Sequence, residues 1–173
     1  AGIDNKGGWA SIGSIDGNMA DFLNFSGNTR YSSIGFGSID QSPNQRTREE
    51  LFQYDFTTAT DAAKLLPTSF GIQIPLNYSV GEVTISPEFD PFYQDIKLKD
   101  RMQASDSNEE KNRIREQAID YTKRKNISIV GVKKISTPKK KKFYNIENFD
   151  FSYSYNEIYH HDYEIENQKN KNI

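Results

Sequence analysis

The chain has no cysteine at any of its 173 positions, which excludes disulfides and thiolate metal centres. Its compartment does not follow from that absence. It also has no run of about 18 apolar residues and therefore no transmembrane helix, although a membrane β-strand needs only about 9–11 residues and stays open. A surplus of one charge is missing too. Lys and Arg number 22 against 24 Asp and Glu, a net charge of −2, whereas a general nucleic-acid binder needs a basic excess. No Ser/His/Asp or Cys/His arrangement can be assembled for nucleophilic catalysis, so the chain is expected not to be an enzyme. Hydrophobic residues make up 35% of the chain and the mean hydropathy is −0.80, both low for a domain built on one large core. The sequence opens at Ala1 with neither an initiator Met nor a signal-peptide apolar region, as expected of a processed chain or a piece of a longer one.

Aromatic residues are abundant, with ten Tyr and eleven Phe. Their placement is most regular between Asn148 and Tyr159. There Phe149, Phe151, Tyr153 and Tyr155 alternate with Asp150, Ser152, Ser154 and Asn156, and successive side chains of a strand point to opposite faces. One aromatic face backed by one small polar face over roughly 11 residues matches a transmembrane β-strand, apolar toward lipid and polar toward a wet lumen. A half-buried strand of a soluble antiparallel sheet alternates in the same way.

The same period recurs along the chain and predicts an all-β fold of antiparallel up-and-down strands over 8–17, 22–33, 51–61, 72–81, 127–135 and 148–159. Trp9 and Tyr31 fall near strand ends, where interfacial aromatics sit. The lipid-facing candidates are Phe52, Tyr54 and Phe56, then Ile72, Ile74 and Leu76, then Phe149, Phe151, Tyr153 and Tyr155. The lumen-facing candidates are Gln53, Asp55, Asn77, Ser79, Asp150, Ser152 and Ser154, small and polar residues that would keep a pore wall wet. Pro75 counts against a regular central strand over 72–81, because it cannot donate to a ladder. The connection 81–126 is the longest. Within it Ser107 and Glu110 form a capping box, Glu109 and Glu110 occupy a first turn, and Lys123, Arg124 and Lys125 a last one, which predicts a loop helix over 107–125.

Short connections (18–21, 61–71, 136–147) interleave with long ones (34–50, 81–126). In an up-and-down sheet all short turns then share one end, an asymmetry typical of large transmembrane β-barrels. The apolar faces of the predicted strands over 22–33, 51–61, 72–81 and 148–159 also carry almost no charge, as lipid exposure requires. About six strands close no wide barrel, and open edges are not tolerated in hydrocarbon, so a membrane reading makes this chain part of something larger.

Several segments in order resemble the SprA/Sov family of gliding-motility proteins. They are Gly35–Gln41, Arg46–Glu49, Lys64–Pro75 (KLLPTSFGIQIP), Pro87–Asp100 (PEFDPFYQDIKLKD), Ala118–Lys125 (AIDYTKRK) and Ile146–Tyr155 (IENFDFSYSY). The resemblance covers most of these residues but a minor fraction of a family member. It lapses at the lysine-dense 139–142 and in the Asn- and Lys-rich tail 162–173. It implies a segment of the type IX secretion translocon of Bacteroidetes, a very large barrel in the cell outer membrane. Folded cargo proteins with a C-terminal signal leave through it, with a PorV-like shuttle and a plug protein as partners, membrane lipid around it, and no nucleic acid. It supplies no catalytic residue and no cofactor. The other reading is a soluble or surface antiparallel β-domain that binds a partner through its aromatic face.

The remaining polar clusters point to no chemistry. His160 and His161 are adjacent, so on a strand their rings diverge and cannot easily share one ion. Glu88, Asp90 and Asp95 supply oxygen donors but not an EF-hand spacing. Gly35-Phe36-Gly37 lacks the Lys-Ser/Thr of a phosphate loop, and Lys139 to Lys142 are expected to form a solvated turn.

Overall fold

The computed structural model describes residues 7–19, 23–37, 46–65, 71–134, 150–165 and 168–173. Alternating sequence gives strands β1 (Ala10–Met19), β2 (Leu23–Ser32), β3 (Glu49–Asp61), β4 (Ile72–Gln73), β5 (Pro75–Pro87), β6 (Asp120–Lys134), β7 (Phe151–His161) and β8 (Gln168–Asn172). Two helices, α1 (Leu98–Ala104) and α2 (Asn108–Ala118), lie between β5 and β6. All strands join one antiparallel sheet in the order β1-β2-β3-β5-β6-β7-β8, with β4 pairing β6 off that path. The expected antiparallel meander is therefore present. The sheet does not close on itself, since β1 and β8 are its edges.

The strand expected over 72–81 is broken and longer. Asp61 accepts the amides of Ile74 (2.9 Å) and Ala63 (3.2 Å), which turns the chain sharply and separates β4 from β5. Pro75 then begins β5, the strand position where a missing amide costs least, and β5 runs on to Pro87 opposite Glu49.

The helix expected over 107–125 is a correction. Ser107 does cap α2, accepting from the Glu109 amide at 3.2 Å, but the helix ends at Ala118 with Ile119 already extended. Residues 120–125 belong to β6, not to a helix, so β6 begins well before the expected 127. Here ladder pairing of Asp120 with Ile85 through Lys125 with Val80 outweighs helix propensity and the basic last turn. The polar tail also gains a strand, β8, that periodicity did not show.

Two connections weaken the expected segregation of lengths. The 135–150 connection is as long as 33–48, and β7 and β8 are joined by a tight turn at the end that carries the long loops. One β-bulge lies in β6. Ile129 pairs with Tyr153 and Val132 with Phe151, so one extra residue is accommodated, with Gly131 at φ 72° in the left-handed region that only glycine enters freely.

The buried apolar residues Leu98, Ile114, Ala118 and Ile119 cluster in the β5–β6 connection, not between layers of the sheet. Their anchor is Asp90, 1% exposed. Its carboxylate accepts the amides of Phe92 (2.8 Å) and Tyr93 (3.1 Å) and pairs with Arg101, whose guanidinium lies 4.8 Å from the Tyr93 ring centroid. Lys97–Glu88 at 3.4 Å and Lys99–Glu50 at 3.5 Å tie this cap to the strand ends. Replacing Asp90 with Ala leaves the guanidinium and two amides without their partner, at a cost of about 3 kcal/mol, the low end for a buried pair because Arg101 retains some solvent. The expected result in the full-length protein is rapid proteolytic cutting within 88–119 with the β-sheet circular dichroism retained.

Candidate functional site: a two-faced sheet

Residues directly opposite one another in an antiparallel ladder share a face, so the register assigns each side chain a side. One row reads Phe25, Thr58, Tyr78, Ile127, Tyr155 from β2 to β7, and the next reads Leu23, Thr60, Leu76, Ile129, Tyr153. Phe151 opposite Val132 continues this face toward the 135–150 end, and Phe52, Tyr54 and Phe56 continue it toward the other. By alternation from Val132, Lys134 and its partner Ile72 also share the face. Ile74 lies between β4 and β5, outside the ladder.

The opposite face is polar. Its rows read Asn24, Ala59, Asn77, Ser128, Ser154 and Ser26, Thr57, Ser79, Asn126, Asn156, Asn172. A third holds Asn28, Asp55, Gly81, Arg124, Ile158 and Asn170, and nearer the cap Leu51, Val83 and Ile85 put apolar residues on this face. The Asp55 carboxylate lies over Gly81 in the space a Cβ would fill and accepts from Gln53 Nε2 at 2.9 Å. Ser152 belongs to the bulge, where its hydroxyl accepts the Gly131 amide at 3.1 Å. Asp150 sits just before β7, exposed. Phe149 and Lys139 to Lys142 lie outside the described residues.

The helices pack on each other rather than across the sheet. Large apolar side chains on the aromatic face are consequently exposed, among them Phe151 at 61% and Phe52 at 45%. At the cap end, Trp9 stacks obliquely on Tyr31 at 4.7 Å, and the Tyr31 hydroxyl donates to Glu50 at 2.9 Å.

Sequence reasoning missed a charged belt on the aromatic face. One row carries Tyr54, Glu82, Lys123, Tyr159 and Lys169, and the next carries Phe56, Val80, Lys125, Glu157 and Lys171. Glu82 and Lys123 pair at 2.5 Å, and the Tyr54 and Tyr121 hydroxyls both bond to Glu82. Lys169 pairs with Glu157 at 2.7 Å, which also accepts the Tyr155 hydroxyl at 2.8 Å. The period-two run Tyr78, Val80, Glu82, Thr84 was the available signal. Its second half lies within 81–126, where a connection with a helix is expected.

Among the described residues no cluster of three His, Asp or Glu is arranged to hold a metal. His160 bonds Thr122 through Nδ1 (2.9 Å) and Asp162 through Nε2 (3.2 Å), while His161 stacks with Tyr121 at 5.3 Å on the other side. Glu88 and Asp90 are engaged in the cap ion pairs. No helix among the described residues is long and apolar enough to cross a membrane, which leaves strand crossing unaddressed.

Against this geometry, the family model SprA_N, described as a motility related/secretion protein, matches residues 1–102. The chain belongs to this family. The match takes in β1 through β5 and reaches into α1, so it includes three strands that carry both the aromatic and the polar rows. No curated protein matches the chain.

The β7–β8 turn that positions Lys169 and Lys171 is held by Asp162, whose carboxylate accepts the amides of Ile165 (2.6 Å) and Glu164 (2.8 Å). These amides, with a smaller contribution from His160, hold the Asp162 carboxyl below the ordinary carboxylate range. A depressed carboxyl pKa contributes stability that is complete above the unfolded value and is lost as pH falls through the folded one. Amide-exchange protection of Glu164 and Ile165, corrected for intrinsic rate, is therefore expected to hold at neutral pH and fall at strongly acidic pH. Asp162→Ala should show low protection throughout.

Proposed function

We propose that this motility- and secretion-related chain forms part of the wall of an outer-membrane protein-export pore, the type IX secretion translocon. Its aromatic face lies against lipid and its Ser/Asn face against a hydrated lumen. The observation that carries the proposal is a sheet with one aromatic and one small polar face, neither covered by a second layer among the described residues. A sheet in a water-soluble domain buries its apolar face on another layer; here acyl chains take that place. The open edges at β1 and β8 are compatible with hydrocarbon only when neighbouring strands of a larger barrel flank them.

Rows on one face are about 7 Å apart, so the three rows from Phe151 to Tyr155 cover about 14 Å of strand, and on β3 and β5 alone Phe56 and Val80 carry the apolar surface one row further, to about 20 Å, where an apolar band is about 25 Å tall. Tyr155 directs its hydroxyl out of the apolar rows onto Glu157, as an aromatic at a membrane interface does. Folded cargo with a C-terminal signal would pass along the polar face, served by a shuttle and a plug protein, and the wall itself performs no catalysis. The ion pairs on the aromatic face favour one competing reading, an interface with another protein.

Paired substitutions in adjacent positions decide between them. Ile129→Lys on the aromatic face, two rows from the charged belt, is expected to cost about 2–4 kcal/mol near the bilayer midplane and to abolish membrane assembly of the full-length protein. Ser128→Lys on the polar face should assemble normally. Equal tolerance at both positions, or recovery of the native protein in the soluble fraction after high-salt washing, would overturn the pore reading.

A further inference from the structure

The charged belt holds more cation than the pore reading uses. Four lysines (Lys123, Lys125, Lys169, Lys171) share two rows with two glutamates, Glu82 and Glu157. Lys123 is consumed by Glu82 and Lys169 by Glu157. Lys125 and Lys171 remain, facing Glu157 from its two neighbouring strands. That carboxylate is already occupied by Lys169 and the Tyr155 hydroxyl, so a surplus of two positive charges stands on either side of it. Glu82, Glu157 and the tyrosines bonded to them are the groups facing the belt from β3, β5, β6 and β7.

The position is as informative as the charge. On one side the belt adjoins the apolar rows of Tyr78, Ile127 and Tyr155, and on the other Tyr121 and His161. Lysine stems lie along apolar surface while their ammonium groups reach a polar boundary. We infer that Lys125 and Lys171 bracket the phosphate of an anionic lipid headgroup at the membrane boundary nearest the cap, so that this section of wall selects its neighbouring lipid. The inference rests on the pore reading, because it requires the aromatic face to meet a bilayer. Charge complementarity commits it to lipid: the two lysines in excess of the glutamates, about two strand spacings apart, roughly 10 Å, beside an apolar band suit a phosphate carried on acyl chains.

The test uses the full-length protein reconstituted in nanodiscs of phosphatidylcholine doped with phosphatidylglycerol, with association of each spin-labelled lipid measured by electron paramagnetic resonance. Wild type is expected to prefer phosphatidylglycerol, and Lys125→Gln and Lys171→Gln each to reduce the preference by about five-fold, from about 1 kcal/mol per lysine near a charged surface. The double Lys→Arg variant should retain the preference, which separates charge from folding, and Lys99→Gln in the cap should leave it intact. Excess inorganic phosphate should compete weakly; full displacement by it would assign the site to the free ion and overturn the inference. Undiminished preference in the double Gln variant would overturn it as well while leaving the pore reading standing. Failure of wild type to enter the bilayer would sink both.

Discussion

Antiparallel hydrogen-bond register is the constraint on which the rest of this structure depends. Because side chains alternate with a period of two, pairing Phe25 with Thr58, Thr58 with Tyr78 and Tyr78 with Ile127 places every other residue of those strands as well. A slip of one residue in any strand would turn its aromatic set onto the polar side. Among the described residues the sheet has no second layer to enforce this from above, so register is held by the ladders, by the Asp61 carboxylate that takes the Ala63 and Ile74 amides, and by the Gly131 bulge. The bulge restores alignment between Val132 and Phe151 after the chain has gained a residue.

Two kinds of surface coexist on the aromatic side, and their border is sharp. Toward the 135–150 end the rows are mostly apolar or aromatic, with Thr58 and Thr60 among them and Lys134 at their far end. Toward the cap they carry Glu82, Lys123, Glu157 and the lysines of β8. Tyrosines bridge the border, with ring on one side and hydroxyl on a carboxylate, as Tyr155 does with Glu157. The charges within the belt are paired across strands where partners exist, which limits the cost of placing them beside apolar surface.

The cap is a separate solution to burial. It places Leu98, Ile114, Ala118 and Ile119 in a small core, carries the buried Asp90–Arg101 pair, and lies at one end of the sheet rather than over it. It leaves both faces of the sheet uncovered by the two helices.

Much of this was legible from the residues alone. Alternation over 22–33, 51–61 and 148–159 located three strands and the side each aromatic takes, because a period of two is a local property that survives any tertiary arrangement. Local pattern misleads where pairing partners far apart in sequence overrule local preference. Residues 120–125 read as the basic end of a helix until Glu82 offers Lys123 a partner across the ladder, and polar Gln168–Asn172 becomes a strand only because β7 presents an unpaired edge. Sequence by itself therefore determined the composition of each face, since that depends on neighbours along the chain. Tertiary structure decided where the charges lie on the aromatic face and which strands are edges, since both depend on register between segments that the chain brings together only on folding.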